Sequence, residues 1–312
     1  MIPAYLQPLA NHLWQSSLFA GLAGLMALAL RKNRASLRHW LWLAASVKFL
    51  VPFSLLIGFG SQLEWRPAPA IVQAPLSSLV GEIGQPFAMP DAAPLLAAGP
   101  EEASRIPALL AGIWLCGFVV ASIAWRREWC RVRRAARTAS RSPLRAPDCV
   151  TVMDSPALLE PCVFGIFRPV LLLPHGIRER LTRDQLEAIL LHELCHVRRR
   201  DNLAAALHMV VETLFWFCPL VYWIGRRMMD EREIACDEEV LHAIRAPEAY
   251  AHGILAVCRF CLQAAPVCAS GVAGSDLRRR IEGIMEYRAL SDWASAESCC
   301  WRPPPSSRWL AR

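Results

Sequence analysis

His192-Glu193-Leu194-Cys195-His196 and, about forty residues later, Glu233-Ile234-Ala235-Cys236-Asp237 carry residue types that suit one metal ion. On a helix, positions i and i+4 share a face, so His192 and His196 can turn imidazole nitrogens toward the same cation. Glu193 projects in an adjacent direction, beside the ion rather than onto it, where a general base for an attacking water belongs. Glu233 offers the carboxylate that completes a two-His, one-Glu set, the donor pattern of an open catalytic Zn2+ site. Asp237, one turn further on, is placed to accept a hydrogen bond from a ligand imidazole. H-E-x-x-H is the pattern of zinc peptidases. The expectation is a zinc metalloendopeptidase with one Zn2+ per chain.

A five-residue pattern also arises by chance, and a surface helix with two histidines and a glutamate would look the same. Context separates the two cases. Residues 182–200 read as a helix, opened by Thr182 and Gln185 in capping-box spacing. Leu186, Ile189, Leu190 and Leu194 give that helix a buried stripe, with the motif midway along it. Cys195 and Cys236 lie inside the two motifs, but small buried side chains are their expected role rather than metal ligation. Cys258 and Cys261 form a C-x-x-C with no second pair at zinc-ribbon spacing, which reads as two buried thiols.

The elements that must position these residues belong to an apolar chain. Of 312 residues, 54% are hydrophobic and 12 are tryptophan, and the apolar residues cluster. Three runs, about 13–30, 40–59 and 106–125, are long enough to cross a bilayer, and only Lys48 interrupts them with charge. Snorkelling toward the basic flank is the expected role of that lysine. The first eleven residues hold no Lys or Arg, unlike the basic start of a secretory signal, so the first run reads as a retained span. Arg31, Lys32, Arg34 and Arg38 follow it. Arg126, Arg127, Arg131, Arg133, Arg134 and Arg137 follow the third run, whereas the 61–105 loop has only Arg66 and Arg105. By the positive-inside rule the 61–105 loop is external and everything after Trp125 is cytoplasmic. The net charge of +7 is concentrated in these flanking arginines and suits anionic lipid headgroups. No nucleic-acid module accompanies it, so direct nucleic-acid binding is not expected. None of the 12 cysteines precedes residue 116, which fits reduced cytoplasmic thiols and an external loop without disulfides.

The expected organisation is a membrane region, 1–125, then a basic connector, 126–147, a metallopeptidase domain, 148–287, and an unstructured tail, 288–312. The Pro- and Ala-rich 61–105 loop reads as a tether. Val150–Val152 and Pro169–Pro174 read as strands of a small sheet beside the metal helix. An exposed edge of that sheet could take a peptide substrate by strand addition. The apolar run 203–224 is interrupted by His208, Glu212 and Pro219, and both of its ends must lie on one side if His196 and Glu233 are to meet. A bent or hairpin helix pair partly sunk in the membrane surface is therefore expected, with His208 and Glu212 a satisfied pair. Helices are also expected over 248–264 and 276–286.

These residues together resemble the BlaR/MecR family of bacterial membrane metallopeptidases, antirepressors that relay β-lactam sensing. The likeness runs from Phe164-Gly165-Ile166-Phe167-Arg168-Pro169 through His192–His196, Arg199 and Asp201-Asn202. It continues in Trp216-Phe217-Cys218-Pro219-Leu220-Val221 and ends at Glu231–Asp237. The resemblance implies a multi-pass α-helical membrane protein of the bacterial cytoplasmic (inner) membrane, with a cytoplasmic α+β domain of gluzincin type. It implies His192, His196 and Glu233 as zinc ligands, Glu193 as base, and a cytosolic protein substrate, a winged-helix transcriptional repressor. Antibiotic-sensing members continue into a further span and an external penicillin-binding domain with a Ser-x-x-Lys motif. This sequence shows neither, so β-lactam recognition is not expected of it. A housekeeping membrane protease would use the same residues on many substrates, and an inactive receptor relic or scaffold would close the zinc site with a fourth protein ligand.

Overall fold

The structure is a computed structural model that describes residues 3–52, 86–87, 105–144, 150–157, 160–244, 247–264 and 277–286. Most of the external-loop reading, the end of the second run and the tail after Glu286 lie outside the described residues. The chain divides into two compact units.

The first unit takes residues 1–32, 40–123 and 207–228. Helix α1 spans Gln7–Ala29, and its buried positions are Ser16, Ala20, Ala23 and Ala27. Leu18, Leu22, Leu25 and Leu28 are exposed. Small residues inward and large apolar residues outward is the reverse of the usual water-soluble helix. Helix α2 spans Ala35–Lys48. Its Trp42 meets Trp223 edge-on at 4.9 Å, and Gly24 lets the Trp42 indole approach α1, since a Cβ there would stand 3.3 Å from that ring. Lys48 donates to the Val51 carbonyl at 3.3 Å. Helix α3 spans Ile106–Arg137, and among the described residues it is the one helix long and apolar enough to cross a membrane, with none of its apolar window buried. The helix runs on to Arg137, through the first part of the basic segment expected as a connector from 126. No Pro or Gly falls between Gly117 and Pro143, and arginine is a good helix former, so nothing stops it.

The second unit takes the described residues within 33–39, 124–206 and 229–286. Its sheet has strands β1 (Ser140–Arg141), β2 (Thr151–Ser155), β3 (Cys162–Phe164) and β4 (Val170–Pro174), in the order β1-β2-β4-β3. β2 and β4 are parallel, with Val152 opposite Leu171, and the outer pairs are antiparallel. The sequence marked only β2 and β4, because β1 and β3 are too short to show an apolar period. Helix α4, Arg183–Arg199, opens with the expected capping box: Thr182 Oγ1 accepts from the Gln185 N–H, and the Gln185 side chain accepts from the Thr182 N–H. Leu190, Leu194 and Val197 of α4 pack on Val150, Val152, Leu171, Leu173 and Ile177.

The other side of α4 joins a second core. Ala188 and Ile189 pack with Val240 and Leu241 of α6 (Pro219–Ala243), and with Tyr250, Ala251 and Ile254 of α7 (Pro247–Ala264). Gly253 permits the close α4–α7 approach, its missing Cβ lying 3.4 Å from Gln185. Ile284, in the helical segment 277–286, is 1% exposed and completes this core. Between α4 and α6 lies α5, Asp201–Leu214, so the apolar run 203–224 is two helices broken over residues 215–218.

Candidate active site

The metal-type residues come from two helices. α4 brings His192, Glu193 and His196, and α6 brings Glu233 and Asp237. His192 Nε2 lies 3.4 Å from Glu233 Oε2, and His196 Nε2 lies 3.9 Å from Glu233 Oε1. These three side chains form a group whose donor atoms all lie within 4.8 Å of one another. A tetrahedral ion with ligand bonds of about 2.0–2.1 Å needs donor atoms roughly 3.3 Å apart, and the His–Glu spacings of 3.4 and 3.9 Å lie near that value.

The far nitrogens of both imidazoles are taken, which decides the tautomers. His196 Nδ1 lies 2.8 Å from Asp201 Oδ2, a carboxylate that can only accept. His196 therefore carries its proton on Nδ1 and presents a lone pair at Nε2. His192 Nδ1 lies 2.8 Å from the Tyr250 hydroxyl and 3.3 Å from Asp237 Oδ1. The Tyr250 hydroxyl donates to Asp237 Oδ1, so its oxygen accepts from His192 Nδ1–H. Arg280 completes the chain, donating Nε to Asp237 Oδ2 at 2.8 Å and Nη2 to Asp237 Oδ1 at 2.7 Å. Carboxylates behind metal-binding histidines fix ring orientation and raise ligand basicity.

Asp201 reaches His196 because of one backbone conformation. In an unbroken helix a residue five positions on points away. Arg200 adopts a left-handed conformation, φ 56° and ψ 39°, and its N–H still bonds the His196 and Val197 carbonyls. That turn ends α4 and folds Asp201 back beneath His196. The next residue, Asn202, donates its amide to the carbonyls of Val163 (3.1 Å) and Gly165 (2.9 Å). Val163 belongs to the edge strand β3 and Gly165 to the turn that follows it, so Asn202 ties the start of α5 to the β3–β4 hairpin. β1 and β3 are the two edges of the sheet.

Charge is set by the same contacts. Burial lifts the pKa of Glu193, and the nearby Glu233 adds to this, while His192 and His196 oppose it. A carboxyl with a raised pKa is suited to proton transfer near neutrality. Burial alone would neutralise Glu233, but His192, Arg232 and Arg280 outweigh it and hold the carboxylate well below its ordinary range. Arg232 Nη2 stands 2.8 Å from Glu233 Oε1, and Arg280 Nη1 stands 3.4 Å from Glu233 Oε2. Burial of His192 favours its neutral form, yet hydrogen bonds with Asp237 and Glu233 win and its pKa rises to about 9. Asp237 and Asp201 are both held below the ordinary aspartate value, against burial, by their histidine and arginine partners.

The cysteines stand aside. Cys236 Sγ lies 3.3 Å from His196 Nδ1, on the edge of the ring that faces Asp201, and Cys195 Sγ donates to Glu239 at 3.1 Å. Contact with Cys195 and burial push the Cys236 thiol upward, so it stays protonated. His196, Asp201 and Cys236 thus form a second close group that shares the histidine but uses its other nitrogen. Cys258 borders the core around Tyr250, and burial, with Glu160 nearby, pushes the Cys261 thiol up to about 12.

The sequence reading brought together His192, Glu193, His196, Glu233 and Asp237. Asp201 it noted only as part of a resemblance, and it missed Tyr250 and Arg280. The signal for Asp201 was weak, since its role depends on the left-handed Arg200. Tyr250 and Arg280 lie on helices whose apolar and charged patterns carry no hint of the metal group.

Comparison with known proteins places this arrangement. Residues 12–284 match the family described as BlaR1 peptidase M56. The chain is 29% identical to the regulatory protein BlaR1 of Bacillus licheniformis over 154 residues, 48% of this chain and 26% of that protein. It is 34% identical to the methicillin resistance mecR1 protein of Staphylococcus aureus over 105 residues, 33% of this chain and 18% of that protein. The matches span about a quarter or less of these relatives. With the family match covering most of its length, the chain belongs to the M56 peptidase family of BlaR1.

Proposed function

We propose that the chain is a multi-pass membrane zinc endopeptidase of gluzincin type, with a cytoplasmic active site, that cleaves a transcriptional repressor. The observation that carries this reading is the convergence of His192 Nε2, His196 Nε2 and a Glu233 carboxylate oxygen, with each imidazole held from behind by Asp237 or Asp201. His192, His196 and Glu233 would hold the ion. Zinc bound there would supply Lewis acidity to a water and to the scissile carbonyl. Glu193 takes the proton of the attacking water and passes it to the leaving amine. Burial suits Glu193 to that exchange, because a raised pKa makes its protonated form accessible. The placement of Cys195 and Cys236 away from the Nε2 side supports an open site over a closed structural one.

The membrane reading takes spans at about 13–30, 40–59 and 106–125, an external loop at 61–105, and a peptidase domain over 148–287 behind the 126–147 segment. The lipid-type face of α1 and the apolar, unburied α3 support it. The regulatory names of the relatives support a signalling protease over a broad housekeeping one. The test uses detergent-purified protein and the winged-helix repressor encoded beside it, where one is found. Glu193→Gln is expected to keep about one zinc per chain and lose cleavage by at least ~100-fold. His192→Ala and Glu233→Ala are expected to lose the zinc. Unchanged cleavage by the Gln variant would remove Glu193 from the chemistry.

A further inference from the structure

The polar residues that interrupt the apolar run 203–224 meet at one place in the first unit. Ser46 Oγ lies 2.8 Å from His208 Nδ1, and His208 Nε2 lies 3.1 Å from Glu212 Oε1. Gly225 closes the group, since a Cβ there would overlap the His208 ring and stand 3.0 Å from Glu212 Oε1. His208 lies seven residues before Phe215, and Gly225 lies seven residues after Cys218. Their contact makes α5 and α6 antiparallel arms of a hairpin with its tip at 215–218.

The outer surface of this hairpin is apolar. Leu203, Leu207 and Val210 are exposed along α5 at i, i+4 and i+7, and Phe217, Tyr222 and Trp223 are exposed at the tip and on α6. His208, by contrast, is turned inward and buried. In water such a surface is a liability; in hydrocarbon it is the favourable one.

A break between helices leaves carbonyls without partners, and here aromatic side chains supply them. The Trp114 indole N–H donates to the Leu214 carbonyl at 3.0 Å, and the Tyr222 hydroxyl donates to the Trp216 carbonyl at 2.9 Å. The Trp216 indole donates in return to the Trp114 carbonyl of α3 at 3.2 Å. Gly117 makes room for it, because any Cβ there would overlap the Trp216 ring. A turn in water has no need of such donors, whereas a turn in lipid does.

Depth follows from α3. Trp114 is eight residues beyond Ile106, or ~12 Å along a helix, in a hydrocarbon layer about 30 Å thick. The tip therefore sits near the middle of the layer that α3 crosses. On α6, Arg226 and Arg227 follow Cys218 by eight and nine residues, and Arg227 lies 5.6 Å over the Trp223 ring. Arginine against tryptophan at that distance from the tip suits the level of the headgroups.

We infer that α5 and the first half of α6 form a re-entrant hairpin. It enters the hydrocarbon from one face, turns at 215–218 near the midplane, and returns to the same face. Its partner surface is lipid acyl chain, met by Leu207, Val210, Phe217, Tyr222 and Trp223, while buried His208 is held by Glu212 of its own helix and Ser46 of α2. His196 and Glu233, which flank the hairpin in sequence, are thereby kept on one side. This rests on the membrane reading of α3 given above.

The full chain in phosphatidylethanolamine–phosphatidylglycerol liposomes, with a phospholipid bearing a diazirine at the end of one acyl chain, provides the test. After irradiation and digestion, mass spectrometry is expected to find adducts both in 106–125 and in 207–223. A membrane-impermeant arginine reagent, a sulfonated phenylglyoxal, is expected to reach Arg200 and Arg226 from the same face. Adducts in 106–125 alone would overturn the hairpin and leave the membrane reading standing. Adducts in neither segment would overturn both. Labelling of Arg200 and Arg226 from opposite faces would make the segment a crossing and overturn the re-entrant form.

Discussion

Tyr250 and Arg280 touch the candidate metal group without belonging to it. The phenol joins His192 to Asp237, and the guanidinium grips Asp237 with two hydrogen bonds while standing 3.4 Å from Glu233. Arg280→Ala would leave Asp237 buried and without its cation, and free to lean away from His192. The expected result is a 10–100-fold loss of zinc affinity, the usual scale for partners behind the ligands, read by competition with a chelating dye. Arg278→Ala is the control, because Arg278 is exposed and pairs only with Glu282 among the described residues; equal losses in both variants would refute the role of Arg280. Lysine would restore little, since it lacks the planar two-pronged donor. At this scale the grouping of His192 with His196 was legible in the sequence because helical spacing places them by itself. Arg280 was not, because 43 residues separate it from Asp237 and only tertiary packing brings them together.

Among the elements, the end of α4 is the most consequential. Arg200 holds a left-handed conformation with an exposed side chain, so a residue with a Cβ occupies a place that suits glycine. Arg200→Gly is expected to raise stability by ~1 kcal/mol by removing that strain, with zinc content unchanged. Denaturant unfolding in detergent checks it, and a drop of similar size would mean that the arginine side chain does something the geometry omits. The start of this helix was readable from Thr182 and Gln185, whose capping box is a local affair of four residues. Its end was readable only to a residue or so, and the backward fold of Asp201 not at all, because nothing in an Arg-Arg-Arg-Asp run announces a positive φ. Strands β1 and β3 escaped for a similar reason: two or three residues cannot display an alternation.

For the whole molecule, stability and metal are linked through protons. Hydrogen bonds with Asp237 and Glu233 outweigh burial and raise His192 from an ordinary value of 6.5 to about 9. A histidine whose folded pKa is raised adds stability that is complete below its unfolded value and is lost as pH rises through the folded one. The thermal midpoint of chelator-treated protein is therefore expected to fall between pH 6.5 and about 9. Zinc-loaded protein is expected to change less, because the ion takes the place of the proton on Nε2. Parallel curves with and without metal would show that His192 does not exchange one for the other. The outline of the molecule was partly legible, since apolar runs and arginine clusters divide the sequence coarsely. The exchange of segments between units was not: residues 33–39 fold with the second unit and 207–228 with the first, a rearrangement set by packing. One further property follows from Asn202. Its amide takes the carbonyl of Val163 in β3 and that of Gly165 in the turn that follows, so the edge strand is pinned to the start of α5. Part of the β3 edge is thereby already engaged, and with Pro161 just before the strand it offers a second copy of this chain fewer groups to pair with.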